Sequence, residues 1–249
     1  MSAPWGGQGS PSSQRPSFSF AQVPGWVWLL ALYAGIWLLE RAGRISEFSA
    51  IYFSVFFPSV IFHEVSHGMV ANAFGDDTAK RAGRLTANPL KHVDPIGTII
   101  LPIVSLLTAG FAFGYAKPVP VNLDKLRNRH HQALLVSLAG PASNLVLVGA
   151  SYLVLQLTKG DAFSAPWWWL GVFYLGYANL WIAIFNMIPI PPFDGAAILE
   201  WCLPERYWPT YLKLRPWSML IVILLVTVGR GPLTALGNDV GNFWFNLVS

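Results

Sequence analysis

Residues 51–74 form an apolar stretch that contains three ionisable side chains, and they read IYFSVFFPSVIFHEVSHGMVANAF. A membrane-spanning helix needs roughly 20 mostly apolar residues, and this stretch is long enough. Within it stands the pattern His63-Glu64-Val65-Ser66-His67. Ionisable groups inside a membrane span are costly and usually functional. The stretch therefore predicts a membrane helix that carries chemistry, with an ion-paired or hydrogen-bonded core cluster as the alternative.

The His-Glu-x-x-His pattern has the spacing of a zinc site. Residues four apart share one face of a helix, so the imidazoles of His63 and His67 can reach one tetrahedral ion. Glu64 can approach a water activated by the metal without binding the metal itself, and it can then act as general base and later as general acid. A bare pattern of this kind also occurs by chance in soluble helices. Its position in a membrane span favours the metal.

The composition of the chain agrees with a protein embedded in lipid. Of its 249 residues, 54% are hydrophobic and 11% are charged, whereas soluble domains carry about 25% charged residues. The net charge is +4, and the basic residues lie in short connectors, where they meet lipid headgroups rather than nucleic acid. Further apolar stretches lie at 24–39, 96–116, 132–157, 166–190 and 216–229. We therefore predict an all-α polytopic membrane protein of about six transmembrane helices, the last short enough to be interfacial.

The remaining segments define the predicted domain boundaries. Residues 1–23 are rich in Ser, Pro, Gly and Gln, which is typical of a disordered tail. A membrane domain is expected over 24–230, with a catalytic core at about 50–205, and a C-terminal tail over 231–249. Prolines in residues 117–122 favour a small extended element, a strand or a hairpin.

A catalytic zinc ion needs a third protein ligand and an open fourth position. The single cysteine, Cys202, excludes a cysteine-rich site. Asp194 follows a long uncharged stretch, in Ile188-Pro189-Ile190-Pro191-Pro192-Phe193-Asp194-Gly195, whose prolines forbid a regular helix. Irregular backbone at membrane depth persists only where protein or water satisfies it. A broken helix could thus deliver the carboxylate to the metal, although a Pro-Pro turn with Asp194 capping the next helix is the alternative. Weaker candidates in the connectors are His92, Asp94, His130 and His131.

Four motifs, in order, resemble those of the site-2 proteases, which are intramembrane zinc metalloproteases. They are Phe62-His63-Glu64-Val65-Ser66-His67-Gly68, Gly114-Tyr115-Ala116-Lys117-Pro118-Val119-Pro120-Val121-Asn122, Leu138-Ala139-Gly140-Pro141-Ala142-Ser143-Asn144, and the run from Asn186 to Gly195. The resemblance implies that His63, His67 and Asp194 hold one zinc ion per chain and that Glu64 is the catalytic acid and base. It also implies cleavage of membrane-spanning protein substrates in the lipid bilayer by a compact member, without a PDZ or CBS domain.

Further residues take a candidate role from the same resemblance. Asparagines placed like Asn144 and Asn186 lie near the active site in that family, where an amide could hold the substrate carbonyl or the oxyanion. Interhelical hydrogen bonding is an equal alternative for both. The segment with Lys117, Pro118 and Val119 could pair with an unwound substrate as an added strand, or it could only line the cavity.

The resulting prediction is an integral, multi-pass zinc metalloendopeptidase, expected in the cell membrane. A non-enzymatic membrane zinc protein, such as a transporter or a sensor, is the alternative. Transporters often contain an internal repeat, and none is visible in this sequence. A scaffold that kept the motif and lost its activity comes last, because the motif is intact.

Overall fold

The computed structural model describes residues 24–94, 116–158, 166–217 and 230–249, together with residues 220 and 224. Within these residues the regular structure is entirely helical, so the predicted all-α fold is confirmed there. The α-helices are α1 Gly25–Arg41, α2 Glu47–Ala73, α3 Thr78–Arg81, α4 Arg129–Thr158, α5 Trp167–Asn186, α6 Ala196–Cys202, α7 Trp208–Leu214 and α8 Arg230–Val248. Short 3-10 helices span Pro89–Lys91, Leu123–Lys125, Glu205–Tyr207 and Arg215–Trp217.

Helices α2, α4 and α5 are long and apolar enough to cross a membrane. Each packs against the other two, and these contacts form the core of the molecule. The predicted number of six spans is not confirmed. Helix α1 has 17 residues and is not among the three, while almost all of the spans expected at 96–116 and 216–229 lies outside the described residues.

Local signals explain where the two central helices begin. The Ser46 hydroxyl accepts a hydrogen bond from the Ser49 N–H at 3.1 Å, which caps the start of α2. Helix α4 begins after Asn128, whose side chain accepts from the His131 N–H at 3.4 Å. The Gln132 side chain in turn accepts from the Asn128 N–H at 3.0 Å. This reciprocal arrangement satisfies N–H groups that a helix start leaves free.

The predicted break in the fifth span is present. Helix α5 ends at Asn186, four residues before the predicted end at Ile190, and α6 begins at Ala196. Between them the chain turns through residues 187–195, which include a cis peptide bond between Pro191 and Pro192. The turn brings the chain back towards α4, because α6 packs against that helix.

Three further expectations concern smaller segments of the chain. The described part of the chain contains no β-strand, and residues 116–122 run as irregular backbone, so the small β element is not confirmed. The sequence predicts a C-terminal tail over residues 231–249, but residues 231–248 belong to helix α8. The side chains of Val240, Trp244 and Val248 are buried, and their spacing of four places them on one helical face. The expected disordered tail, residues 1–23, lies outside the described residues.

Candidate metal centre

Three potential ligand atoms converge between helices α2 and α5. Asp194 Oδ2 lies 3.0 Å from His63 Nε2 and 3.3 Å from His67 Nε2, and the two nitrogens lie 3.1 Å apart. Both histidines are buried, and Asp194 is nearly so. The sequence is thus right that these three residues, separated by more than a hundred positions, come together.

The spacing of the three atoms fits a zinc ion. Ligand bonds of about 2.0–2.1 Å in tetrahedral geometry put neighbouring ligand atoms about 3.3–3.4 Å apart, close to the distances seen here. Asp194 Oδ2 is buried and accepts no hydrogen bond of acceptable geometry from the described residues. A buried carboxylate oxygen without such a bond, close to two imidazole nitrogens, is placed like a ligand beside an ion. The donor set of two imidazoles and one carboxylate also suits catalytic zinc.

Each imidazole is held through its other nitrogen. His67 Nδ1 lies 2.7 Å from the Val136 carbonyl oxygen, which is an acceptor only, so this nitrogen donates. His63 Nδ1 lies 2.5 Å from Asn144 Oδ1. Partners of this kind orient metal-binding histidines and fix their tautomer. Both partners lie on α4, so that helix orients both rings.

Helix α4 comes close to the imidazoles because residue 140 is glycine. A Cβ atom at this position would lie 2.5 Å from Cε1 of His63 and 2.5 Å from Cε1 of His67. Pro141 follows and offers no N–H to the preceding turn. The Gly-Pro pair therefore lets the two rings pack directly against the backbone of α4.

Asp194 reaches the histidines through the broken helix. The Gly195 N–H donates to the Asn186 carbonyl at 2.6 Å, which ties the end of the turn to the end of α5. A Cβ atom at Gly195 would lie 2.5 Å from the carbonyl carbon of Met187, so only glycine fits without displacing backbone. The N-cap residue of α6 is Gly195, and no side-chain hydrogen bond caps this helix, which counts against the alternative of Asp194 as a simple helix cap.

Glu64, which follows His63 on α2, accepts a hydrogen bond from an irregular segment of the chain. Its Oε2 accepts the N–H of Val119 at 2.9 Å. The same segment is fixed by Arg84, which is buried and whose Nη2 donates to the carbonyls of Lys117 at 2.7 Å and Pro118 at 3.2 Å. The Lys117 N–H donates to the His92 carbonyl at 2.7 Å. These contacts favour a lining and positioning role of residues 117–119 over strand pairing.

Asp76 holds the other end of that segment. Its carboxylate accepts the Asn122 N–H at 2.6 Å and the Thr78 N–H at 3.0 Å, and it also accepts the Thr78 hydroxyl. Burial raises the pKa of Asp76, but these hydrogen bonds and the charge of Lys125 outweigh it and bring the pKa below its ordinary value. The carboxylate thus remains ionised and joins the end of α2 to residue 122.

Two basic groups lie near the same segment. Burial lowers the pKa of Arg84, although the nearby carboxylate of Glu64 opposes this effect. Burial also lowers the pKa of His92, assisted by the charge of Arg84 and opposed by a hydrogen bond to the Thr86 carbonyl. His92 Nδ1 and Arg84 Nε are buried without a hydrogen-bond partner among the described residues. Neither residue belongs to the group of ligand atoms.

The predicted asparagines lie in different surroundings. Asn144 is fully buried, and its amide nitrogen donates to Asn179 Oδ1 at 2.6 Å while its oxygen contacts His63. This arrangement favours the interhelical alternative for Asn144 over contact with a substrate. Asn186 is half-buried, and its amide donates to the Ile182 carbonyl of its own helix at 2.9 Å, so its contact with substrate stays a prediction.

The other candidates lie away from the three ligand atoms. His130 and His131 are exposed and contact Trp201, whose indole N–H donates to His131 Nδ1 at 3.2 Å. The sequence reasoning missed Ser59 and Asn179, which are buried and hydrogen-bonded to each other at 2.8 Å. Each is a polar residue in an apolar run. That was the only available signal, and it is weak.

Comparison with known proteins places these features in a family. The sequence profile of peptidase family M50 matches residues 51–228. YwhC of Bacillus subtilis, which is named as a zinc metalloprotease, is 36% identical over 199 residues, covering 73% of this chain and 84% of its own. Rip2 of Mycolicibacterium smegmatis, named likewise, is 33% identical over 198 residues, covering 78% and 68%. Rip2 of Mycobacterium tuberculosis strain H37Rv, also so named, is 30% identical over 203 residues, covering 80% and 70%.

No solved structure matches the chain significantly. The profile nevertheless covers most of the chain and includes all three ligand candidates, and the relatives are similar over most of their lengths. Together with the apolar helices, these matches make the protein a membrane zinc metalloprotease. The chain belongs to peptidase family M50, the site-2 protease family.

Proposed function

We propose that the protein is an intramembrane protease that hydrolyses peptide bonds of transmembrane substrates, with zinc held by His63, His67 and Asp194. The observation that carries the proposal is the convergence of three ligand atoms within 3.0–3.3 Å of one another. Two of them belong to a helix that is long and apolar enough to cross a membrane. A peptide bond cleaved at this centre would lie within or beside the bilayer.

Glu64 is the proposed general base. Bound zinc would lower the pKa of a water molecule towards 7 and polarise the scissile carbonyl. Glu64 follows the first ligand directly, and its carboxylate is oriented by the Val119 N–H. A carboxylate has about four lone-pair sites, so this bond leaves Glu64 able to take a proton from water. The same group then returns the proton to the leaving amine.

The substrate must present extended backbone to this centre. A transmembrane helix has its peptide groups hydrogen-bonded internally, so it has to unwind before a carbonyl can be attacked. The irregular segments 116–122 and 187–195 border the site and could contact such a substrate. Lys117, Pro118, Val119 and Asn186 remain its candidate contacts.

Metal analysis of the purified protein tests the ligand set. One zinc per chain is expected in the wild type, and its loss is expected in both His67→Ala and Asp194→Ala. Ser66→Ala is the matched control, because the Ser66 hydroxyl lies in the same motif and, within the described part of the chain, bonds only the Phe62 carbonyl of its own helix. Full zinc content in Asp194→Ala would refute Asp194 as a ligand.

Glu64→Gln tests the catalytic role separately. The variant is expected to bind zinc as the wild type does and to lose cleavage of a transmembrane peptide in detergent micelles. Retained cleavage would refute the role of general base. The non-enzymatic alternative predicts zinc flux in proteoliposomes without peptide hydrolysis, and the similarity to relatives named as zinc metalloproteases disfavours it.

A further inference from the structure

A chain of buried polar side chains links the three core helices and ends at His63. It consists of Ser59 on α2, Asn179 on α5 and Asn144 on α4, and each is at most 1% exposed. Asn179 Nδ2 lies 2.8 Å from Ser59 Oγ, and Asn144 Nδ2 lies 2.6 Å from Asn179 Oδ1. Asn144 Oδ1 then lies 2.5 Å from His63 Nδ1. The chain thus begins and ends on the same helix, four residues apart.

Two backbone carbonyls fix the direction of every hydrogen bond in this chain. The Ser59 hydroxyl lies 2.7 Å from the Val55 carbonyl and must donate to it, because a carbonyl has no proton to give. The Ser59 oxygen is then the acceptor for Asn179. The Asn179 amide nitrogen also donates to the Leu175 carbonyl at 2.8 Å. A flipped Asn179 would place its oxygen against both a carbonyl oxygen and a committed hydroxyl oxygen.

The orientation of Asn179 decides the orientation of the next two groups. Its Oδ1 faces Asn144 and accepts from that amide nitrogen. The Asn144 oxygen therefore faces His63, so Nδ1 of His63 must carry the proton in the neutral ring. The lone pair is left on Nε2, the atom that lies 3.0 Å from Asp194 Oδ2.

We infer that Ser59, Asn179 and Asn144 are positioning residues that hold His63 in the tautomer and ring orientation required for zinc binding. The inference rests on the proposed function, because it takes His63 as a zinc ligand. The chain acts through His63 and touches neither zinc nor substrate. It assigns to Asn144 a role other than contact with the substrate.

The competing interpretation is that the chain only joins the helices. Hydrogen bonds between buried side chains of neighbouring membrane helices are a common way of joining them. The two interpretations differ for an aspartate at position 144. A carboxylate still accepts a proton from His63 Nδ1, but it cannot donate to Asn179. A positioning role is therefore largely kept in Asn144→Asp and lost in Asn144→Leu, whereas a purely joining role is lost in both.

Zinc affinity, measured by competition with a chromophoric chelator on the purified, detergent-solubilised protein, tests the inference. Asn144→Leu is expected to weaken Zn²⁺ binding about 10–100-fold, as is usual when the partner of a ligand histidine is removed. Asn144→Asp is expected to stay within about threefold of the wild type. Asn179→Leu and Ser59→Ala should give intermediate losses. Ser151→Ala should bind as the wild type does, because that buried hydroxyl has no hydrogen-bond partner among the described residues.

A folded Asn144→Leu protein with wild-type affinity would overturn the inference, and so would equal losses in Asn144→Asp and Asn144→Leu. If the leucine variant does not fold, NMR spectra of the zinc-free wild type labelled with ¹⁵N-histidine test the inference instead. The His63 signals, assigned by comparison with His63→Ala, should show a proton on Nδ1. A proton on Nε2 would refute the inference. The His63→Ala variant also separates the two proposals. Wild-type zinc affinity in His63→Ala would refute the ligand assignment itself, whereas its loss there without a loss in Asn144→Leu would refute only the positioning role.

Discussion

The imidazoles of His63 and His67 lie against the backbone of α4 because residue 140 has no side chain. A Cβ atom there would lie 2.5 Å from both Cε1 atoms, closer than carbon atoms approach without strain. The same helix supplies the Asn144 oxygen and the Val136 carbonyl that hold the two Nδ1 atoms. The geometry of the proposed ligands thus depends on a missing methyl group as much as on their own chemistry.

Gly140→Ala is expected to weaken zinc binding at least tenfold. Overpacking a tight contact costs about 1–3 kcal/mol, and here the strain falls directly on the two ligand rings. Gly149→Ala is the matched control, since it lies on the same helix with no atom within 4 Å of the added Cβ. Zinc titration of both variants checks the prediction. Equal affinities would show that the rings can move aside without cost.

The sequence allowed the three ligand candidates and Asn144 to be named, but not Ser59 and Asn179, which lie behind Asn144. The spacing of His63 and His67 is a local property of a helix, and the prolines before Asp194 mark a local break. Ser59 and Asn179 lack such a local signal, because the meaning of a buried polar residue depends on its partner, here 120 positions away. Pairing across helices follows from tertiary packing, which no pattern in one helix contains.

At the scale of elements, residues 116–122 are tied by hydrogen bonds to the C-terminal part of α2 and to the residues that follow it. Asp76 holds residue 122, Arg84 holds the carbonyls of residues 117 and 118, and Glu64 accepts the N–H of residue 119. Pro118 and Pro120 have no N–H to offer a neighbouring strand. The prolines predicted an extended segment, but they also remove the donors that strand pairing needs.

Arg84→Met is expected to lower kcat for peptide cleavage about tenfold or more while zinc affinity stays unchanged. Arg84 fixes the carbonyls beside the Val119 N–H that orients Glu64, and it bonds none of the three ligand candidates. The apolar stem of methionine preserves much of the packing. Arg81→Met is the control, because Arg81 is exposed and its only ion pair among the residues that the structure describes is with Asp77, four positions earlier. An unchanged kcat in Arg84→Met would show that residues 116–122 do not orient Glu64, the proposed base.

The Asp76 anchor should make stability depend on pH. A carboxyl group whose pKa is lower in the folded state stabilises the fold above its ordinary pKa of 3.8, and this contribution is lost as pH falls through the lowered folded value. The Tm difference between the wild type and Asp76→Asn should therefore be constant between about pH 5 and pH 7 and should shrink below about pH 4. Asp124→Asn, which changes an exposed carboxylate paired with Arg129, should track the wild type. A difference independent of pH would contradict the ionised anchor.

At the scale of the whole molecule, the C-terminal helix adds its own buried cluster to the core, in which Trp244 and Val248 pack with Leu155 and Trp169. Helix α8 packs mainly on α5, where Trp244 is fully buried and its indole N–H donates to the Phe173 carbonyl at 3.0 Å. The apolar spans α2, α4 and α5 could be predicted from hydropathy alone. Helix α8 was not predicted, because its polar residues lower its mean hydropathy. Only the spacing of its buried residues shows which face contacts the core.

Trp244→Ala is expected to destabilise the protein without weakening its zinc site. In soluble proteins, truncating a buried tryptophan lowers the free energy of unfolding by about 3–5 kcal/mol. Roughly half of that loss is expected here. Lipid is as apolar as the protein core, so only the contribution from packing is lost. Phe243→Ala, which changes the exposed neighbour, should have little effect on Tm. Zinc at a thousandfold excess over its Kd stabilises a folded protein by about 4 kcal/mol, so chelation should lower Tm in the wild type and in Trp244→Ala alike. Separate contributions add when sites share no partners. A smaller effect of chelation in Trp244→Ala would instead show that α8 is coupled to the metal centre through α5.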